Sequence, residues 1–204
     1  MTRPRIVTLA VALLLGATPP GFGDTKTEPR QRGVYEPLAW LIGTWEGVFV
    51  PPGATGRPTM TFEWSPYSTH IRYSAQRPQK GGLAPEYEGV IVWHPVQRRF
   101  LFLQPYPIAG PTLTEEGWVE LLDDGSARFH MNVHYAPGVG LPWSDGAKAG
   151  DRGETLRFRR TLAPEGQSAM FGEFLMWRDD AWVVPEFPFE VPARGFEWHR
   201  VAGD

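Results

Sequence analysis

The sequence predicts an all-β protein, an antiparallel up-and-down β-barrel of about 9–10 strands with a short N-terminal helical turn. Three observations favour this fold class. From Thr44 onward, apolar and polar residues mostly alternate, as in strands with one buried face. The chain of 204 residues contains 21 Pro and 23 Gly, which divide it into short extended pieces. Closure into a barrel removes exposed sheet edges, but the same alternation also fits a β-sandwich.

The N-terminal residues have the pattern of an export signal followed by a tether. Two arginines precede the apolar stretch 6–17, which is too short to span about 30 Å of hydrocarbon. Gly21 and Gly23 are small residues at positions −3 and −1 of a cleavage site. We therefore expect a signal peptide at 1–23, a flexible linker at 24–36 and the barrel domain at 37–204. This predicts a periplasmic or secreted protein without a stable membrane span after leader removal, with an uncleaved anchor as the alternative.

The bulk composition fits one globular domain and excludes several functions. Hydrophobic residues make up 42% of the chain, which is enough for a packed core. The net charge of −3 gives no electrostatic basis for binding nucleic acid. The absence of cysteine excludes disulfides, thiol nucleophiles and thiolate metal sites.

The expected elements follow one another along the chain. Pro37 opens the helical turn and Gly43 ends it. The strongest hairpin signal is Asp-Asp-Gly at 123–125, because Asp-Gly favours the positive φ angles of a tight turn. The predicted strands begin at Thr44 and continue as Thr59–Trp64, Thr69–Ser74, Tyr87–Trp93, Phe100–Gln104, Gly117–Leu122, Ala127–Tyr135, Thr155–Leu162, Met170–Trp177 and Gly195–Val201.

Two connections are too long to be tight turns. Residues 136–153 are rich in glycine, and residues 76–85 have a similar composition. Long connections in compact domains serve as lids or portals, or are inert loops. The sequence leaves both interpretations open.

The opening Gly43-Thr44-Trp45 resembles the first strand of lipocalin-like, or calycin, β-barrels. The stretches 88–93, 100–102 and 116–125 extend this likeness to exported bacterial lipocalin-like domains of undefined function. Similar openings occur in fatty-acid-binding-type barrels and in nitrobindin-like haem barrels, but the Gly-x-Tyr-Pro-Thr run of nitrobindins has no counterpart here. The resemblance implies that Trp45 closes one end of the barrel and stacks on Arg200.

Histidines and their polar neighbours are the candidate ligand-binding residues. His130 and His134 lie on one face of a predicted strand, about 13 Å apart, so the two do not share one metal ion. Their face is either a solvated outer wall or a polar lumen that orients a ligand. The same alternative applies on other strands. The candidates are His70, Arg72, His130, Asn132, His134 and His199.

These observations predict a barrel that binds a small, largely apolar molecule in its lumen. No catalytic residue is assigned, because no nucleophile elbow or dinucleotide fingerprint occurs. No cofactor is required. One alternative is a haem-binding or enzymatic barrel that uses a lumenal His130 or His199. The other is a structural or partner-binding module of the cell envelope.

Overall fold

The computed structural model describes residues 33–50, 53–106, 112–142, 146–186 and 195–202. A 3-10 helix at Gly33–Leu41 precedes the sheet. It begins four residues before Pro37, so residues 33–36 belong to the helix rather than to the expected linker. The expected signal peptide lies outside the described residues. The strands are β1 (Gly43–Gly47), β2 (Thr59–Trp64), β3 (Ile71–Gln79), β4 (Gly82–His94), β5 (Arg99–Pro105), β6 (Leu113–Leu121), β7 (Ala127–Tyr135), β8 (Glu154–Glu165), β9 (Ala169–Arg178), β10 (Ala181–Val183) and β11 (Phe196–Arg200).

Ten of the strands form a closed antiparallel barrel. The first nine follow one another in sequence order, and β11 lies between β9 and β1. The ring closes because β9 also pairs with β8. Pairing is antiparallel throughout the described sheet, which confirms the predicted up-and-down barrel and excludes the β-sandwich.

Two further features differ from the prediction. Residues 76–85 are not a loop, because β3 and β4 continue to a tight turn at Lys80-Gly81. Gly81 and Gly82 have φ angles of 102° and 130°, which glycine adopts without the strain that a side chain would cause. The strand β10 was not predicted. It pairs with the end of β9 through a turn in which Asp179 and Asp180 have positive φ.

The long connection after β7 is folded in its described part. An isolated bridge joins Gly140 to Lys148, and the amide of Ala149 donates to the carbonyl of Val139 over 2.8 Å. Ala149 is buried. This part of the connection is therefore hydrogen-bonded and packed.

The 3-10 helix covers one end of the barrel. Leu38 and Leu41 are fully buried in the core cluster. The Tyr35 hydroxyl donates to the carbonyl of Thr69 over 2.7 Å and accepts from the amide of Trp93 over 2.8 Å. These bonds link the helix to the start of β3 and the end of β4. The covered end is the one at which β1 starts and β11 ends.

Trp45 and Arg200 meet at this covered end. The indole is 1% exposed, and its Nε1 donates to the carbonyl of Leu41 over 2.7 Å. The Arg200 guanidinium lies 4.4 Å from the centre of the indole. It also donates to the carbonyls of Trp40 and Ile42. One arginine thus joins the last strand, the first strand and the helix.

Candidate functional site

A cavity of about 430 Å³ occupies the half of the lumen away from the helix. Its wall comes from the start of β2, the end of β3, the beginning of β6, the end of β7 and the start of β11. Its volume falls within the range of about 300–1,000 Å³ that is usual for small-molecule sites. The wall is mostly apolar, with contributions from Met60, Val133, Phe158, Phe174 and Trp198.

Arg160 is a cationic group inside this half of the lumen. It lies on the inward face of β8, where its neighbours of the same parity are Phe158 and Leu162. Its Nη1 donates to the Tyr87 hydroxyl over 3.1 Å, and its guanidinium lies 5.2 Å from the centre of the Tyr87 ring. The second aromatic neighbour is Phe174, at 6.0 Å. The nearby tyrosines and Glu115 raise the pKa of Arg160 against the opposing effect of burial, so the group is charged.

Glu115 is a buried carboxyl on β6, with only 3% of its surface exposed. Gln104 Nε2 donates to Oε2 over 2.7 Å, and the Tyr106 hydroxyl donates to Oε1 over 2.5 Å. Gln104 also donates to the Tyr106 oxygen over 3.0 Å, which directs the Tyr106 proton towards Glu115. Both carboxyl oxygens therefore accept hydrogen bonds, which is the pattern of a carboxylate.

Burial and charge shift the ionisation of this group of residues. Desolvation raises the pKa of Glu115, opposed by the charge of Arg160 and the hydrogen bond from Tyr106. Desolvation also raises the pKa of Tyr87 to about 12 and the pKa of Tyr106 well above its ordinary value. Both phenols keep their protons at neutral pH, so they are hydrogen-bond donors as well as acceptors.

Tyr73 lies beside these groups without a hydrogen-bond partner for its hydroxyl. Its ring stacks on Phe62 and meets Tyr87 edge to face, with centroids 5.6 and 6.2 Å apart. A Cβ at Gly89 would come within 2.6 Å of the Tyr73 hydroxyl, so a glycine leaves the space for this ring. Burial is the main cause that raises the Tyr73 pKa.

The predicted residues on β7 lie on the outer wall. The inward positions of β7 are the buried Phe129, Met131 and Val133, which turns His130, Asn132 and His134 outward. These outward residues contact two carboxylates of β6. His130 lies 2.8 Å from Glu120, whereas Asn132 and His134 both contact Glu116, at 3.1 and 3.5 Å. His130 also stacks on Trp118 with ring centroids 4.7 Å apart.

The remaining predicted residues are also outside the lumen and separate from this group. His70 Nδ1 contacts the Thr69 hydroxyl in the turn before β3. Arg72 pairs with Glu63 over 3.4 Å, and both side chains are exposed. His199 pairs with Glu197 over 2.8 Å on β11. No histidine contributes to the described wall of the cavity, so the structure places these candidate residues outside the lumen.

Sequence reasoning missed the polar residues that do lie inside. Arg160 has the parity of Leu156, Phe158 and Leu162, and Glu115 has the parity of Leu113 and Val119. A charged residue in the middle of an otherwise apolar strand face indicates a buried polar group. This pattern identifies Arg160 and Glu115, but not their partners on other strands.

The described residues contain no cluster of three or more acidic or histidine side chains arranged to hold a metal ion. In the same part of the chain, none of the helical structure has the length and apolar character that a bilayer-spanning helix requires.

Fold and site define a closed ten-strand antiparallel barrel with an apolar lumenal cavity that contains a charged polar group. Comparison of the chain with protein-family models found no matching family. A search of curated proteins found no match either.

Proposed function

We propose that this protein is a lipocalin-like barrel that binds a small, largely apolar molecule in its lumen. The observation that carries the proposal is the cavity of about 430 Å³ between the barrel walls. Apolar walls with a few polar groups are typical of sites that orient a small ligand. Here the polar groups are Arg160, Tyr87 and Glu115.

The shape of the barrel supports a ligand that enters opposite the helix. Trp45, Leu38 and Leu41 fill the covered end with buried side chains. The cavity-lining residues instead come from the strand ends far from the helix, among them Thr59 and Phe196. Burial of each CH₂ group of a ligand contributes about 0.8 kcal/mol, so an apolar chain in this space supplies the affinity.

The sequence pattern at 1–23 supports a second part of the proposal, namely that the protein acts after export, in the periplasm or outside the cell. The barrel needs no disulfide for its closure, because the described ring is joined throughout by backbone hydrogen bonds.

Titration of the full chain with N-phenyl-1-naphthylamine, a neutral apolar dye whose fluorescence rises in apolar surroundings, tests lumenal binding. We expect saturable binding with a dissociation constant on the order of micromolar. The absence of saturable binding, or binding that is indifferent to the lumenal variant below, would contradict the proposal.

Gly172 offers a matched pair of variants. A Cβ there would meet Leu162 and Trp198 at 3.5 Å, which is ordinary contact, so Gly172→Ala should fold and bind. Gly172→Leu extends into the cavity and should weaken dye binding at least about tenfold, which corresponds to about 1.4 kcal/mol. His130→Ala on the outer wall should leave dye binding unchanged.

A further inference from the structure

The lumen contains a cation whose hydrogen-bonding capacity is largely unused. A guanidinium has five N–H donors. Among the described residues, the Arg160 side chain makes one hydrogen bond, to Tyr87. In the described structure, Nε of Arg159 on the same strand is buried without a hydrogen-bond partner, whereas no nitrogen of Arg160 is. The remaining Arg160 donors are therefore accessible from the cavity that this residue lines.

The described cavity wall already carries more negative than positive charge. Arg77 and Glu173 are exposed, and Glu197 pairs with the exposed His199 outside the lumen. This leaves Arg160, the buried Glu115 and the half-buried Glu86 as the charged side chains nearest the ligand. Glu115 has no direct ion pair in the described structure but contributes to the potential at Arg160. An anionic ligand would meet this excess of carboxylates in a medium where like charges repel strongly. A cationic ligand would meet the Arg160 guanidinium.

We infer that the lumenal ligand is an apolar molecule with a neutral oxygen acceptor, such as the carbonyl of an amide, ester or ketone, which accepts from Arg160. This inference rests on the proposed lumenal binding and specifies its chemistry. The neutral acceptor fills the unused donors of Arg160 without adding charge. Glu115 already supplies the negative charge that a ligand carboxylate would otherwise bring to this cation.

Competition against N-phenyl-1-naphthylamine on the full chain at pH 7.5 tests this chemistry. The competitors are a primary alkyl amide, an alkyl carboxylate and an alkylammonium of the same chain length, each below its micelle concentration. We expect the amide to compete at least tenfold better than either charged analogue. A carboxylate or ammonium that competes as well as the amide overturns the inference.

Variants of the wall separate charge from hydrophobicity. Arg160→Met should reduce amide competition about tenfold or more, with dye affinity largely kept. Glu115→Gln should improve carboxylate competition relative to the amide, because it removes one negative charge beside Arg160. If Glu115→Gln fails to fold, Glu86→Gln removes a half-buried carboxylate of the same wall and should act in the same direction. An unchanged carboxylate-to-amide ratio in the folded variant contradicts the inference.

The outcomes distinguish the two proposals. If the dye does not bind, lumenal binding itself fails and the ligand chemistry fails with it. If the dye binds and Gly172→Leu weakens it, but the amide has no advantage, only the inferred neutral acceptor is wrong.

Discussion

Arg200→Ala should weaken the fold through the covered end of the barrel. In the structure the guanidinium lies 4.4 Å from the centre of the Trp45 indole and donates to two main-chain carbonyls of the helix segment, at Trp40 and Ile42. An arginine over an indole contributes about 0.5–2 kcal/mol. Each hydrogen bond from a charged donor contributes about 1.5–3 kcal/mol, and less where water can replace the donor.

Because Arg200 is partly exposed, we expect a loss of about 3–5 kcal/mol in the free energy of unfolding. This is a large part of the roughly 5–15 kcal/mol that stabilises an ordinary domain. Urea unfolding of the full chain, followed by far-UV circular dichroism, measures the change.

Two controls accompany this measurement. Arg200→Lys keeps a cation near the indole, but an ammonium lacks the planar set of donors that lets the guanidinium reach both carbonyls. Its loss in the free energy of unfolding should therefore be intermediate. Arg178→Ala removes an arginine from an exposed ion pair with Asp179 and should cost no more than about 1 kcal/mol. If the free energies of unfolding of Arg200→Ala and Arg178→Ala differ by less than about 1 kcal/mol, the role of Arg200 in closing the barrel is refuted.

Two further predictions concern the wall and the buried carboxyl. Gly117→Ala should cost more than about 3 kcal/mol in urea unfolding, because its Cβ would collide with the main-chain oxygen of His130, whereas Gly150→Ala has open space and should be nearly neutral. Burial raises the pKa of Glu115 above its ordinary value of 4.5, so the folded protein retains a proton that the unfolded chain releases. The Glu115 contribution to stability should therefore be present below pH 4.5 and decline as pH rises through the raised pKa. Urea unfolding at a series of pH values below and above 4.5 measures this contribution. The free energy of unfolding of the wild type should fall relative to that of Glu115→Gln as pH rises, and a difference that is constant with pH would contradict the raised pKa of Glu115.

The sequence predicted the barrel because strand alternation and turn chemistry are local properties. Thr59–Trp64 and Ala127–Tyr135 have the bounds that alternation indicated. Residues 76–85 were misassigned because their prolines and glycines suggest a loop, while the pairing of β3 with β4 outweighs that preference. The three residues of β10 are too few to show a period and depend on pairing with β9.

The candidate site was harder to predict, because it depends on contacts between distant strands. Arg160 and Tyr87 are 73 positions apart and meet only when the ring closes. The alternation on β7 placed His130 and His134 opposite an apolar face, but alternation alone does not say which face is the lumen. In the closed barrel the apolar face of β7 that includes Met131 is buried, so this face points into the lumen.

A structure of the protein in complex with the primary alkyl amide would show whether an apolar molecule occupies the lumen. We expect the alkyl chain inside the cavity of about 430 Å³. We also expect the amide oxygen at about 3 Å from a guanidinium nitrogen of Arg160. A lumen filled by the protein's own side chains, or an amide bound on the outer wall, would contradict lumenal binding.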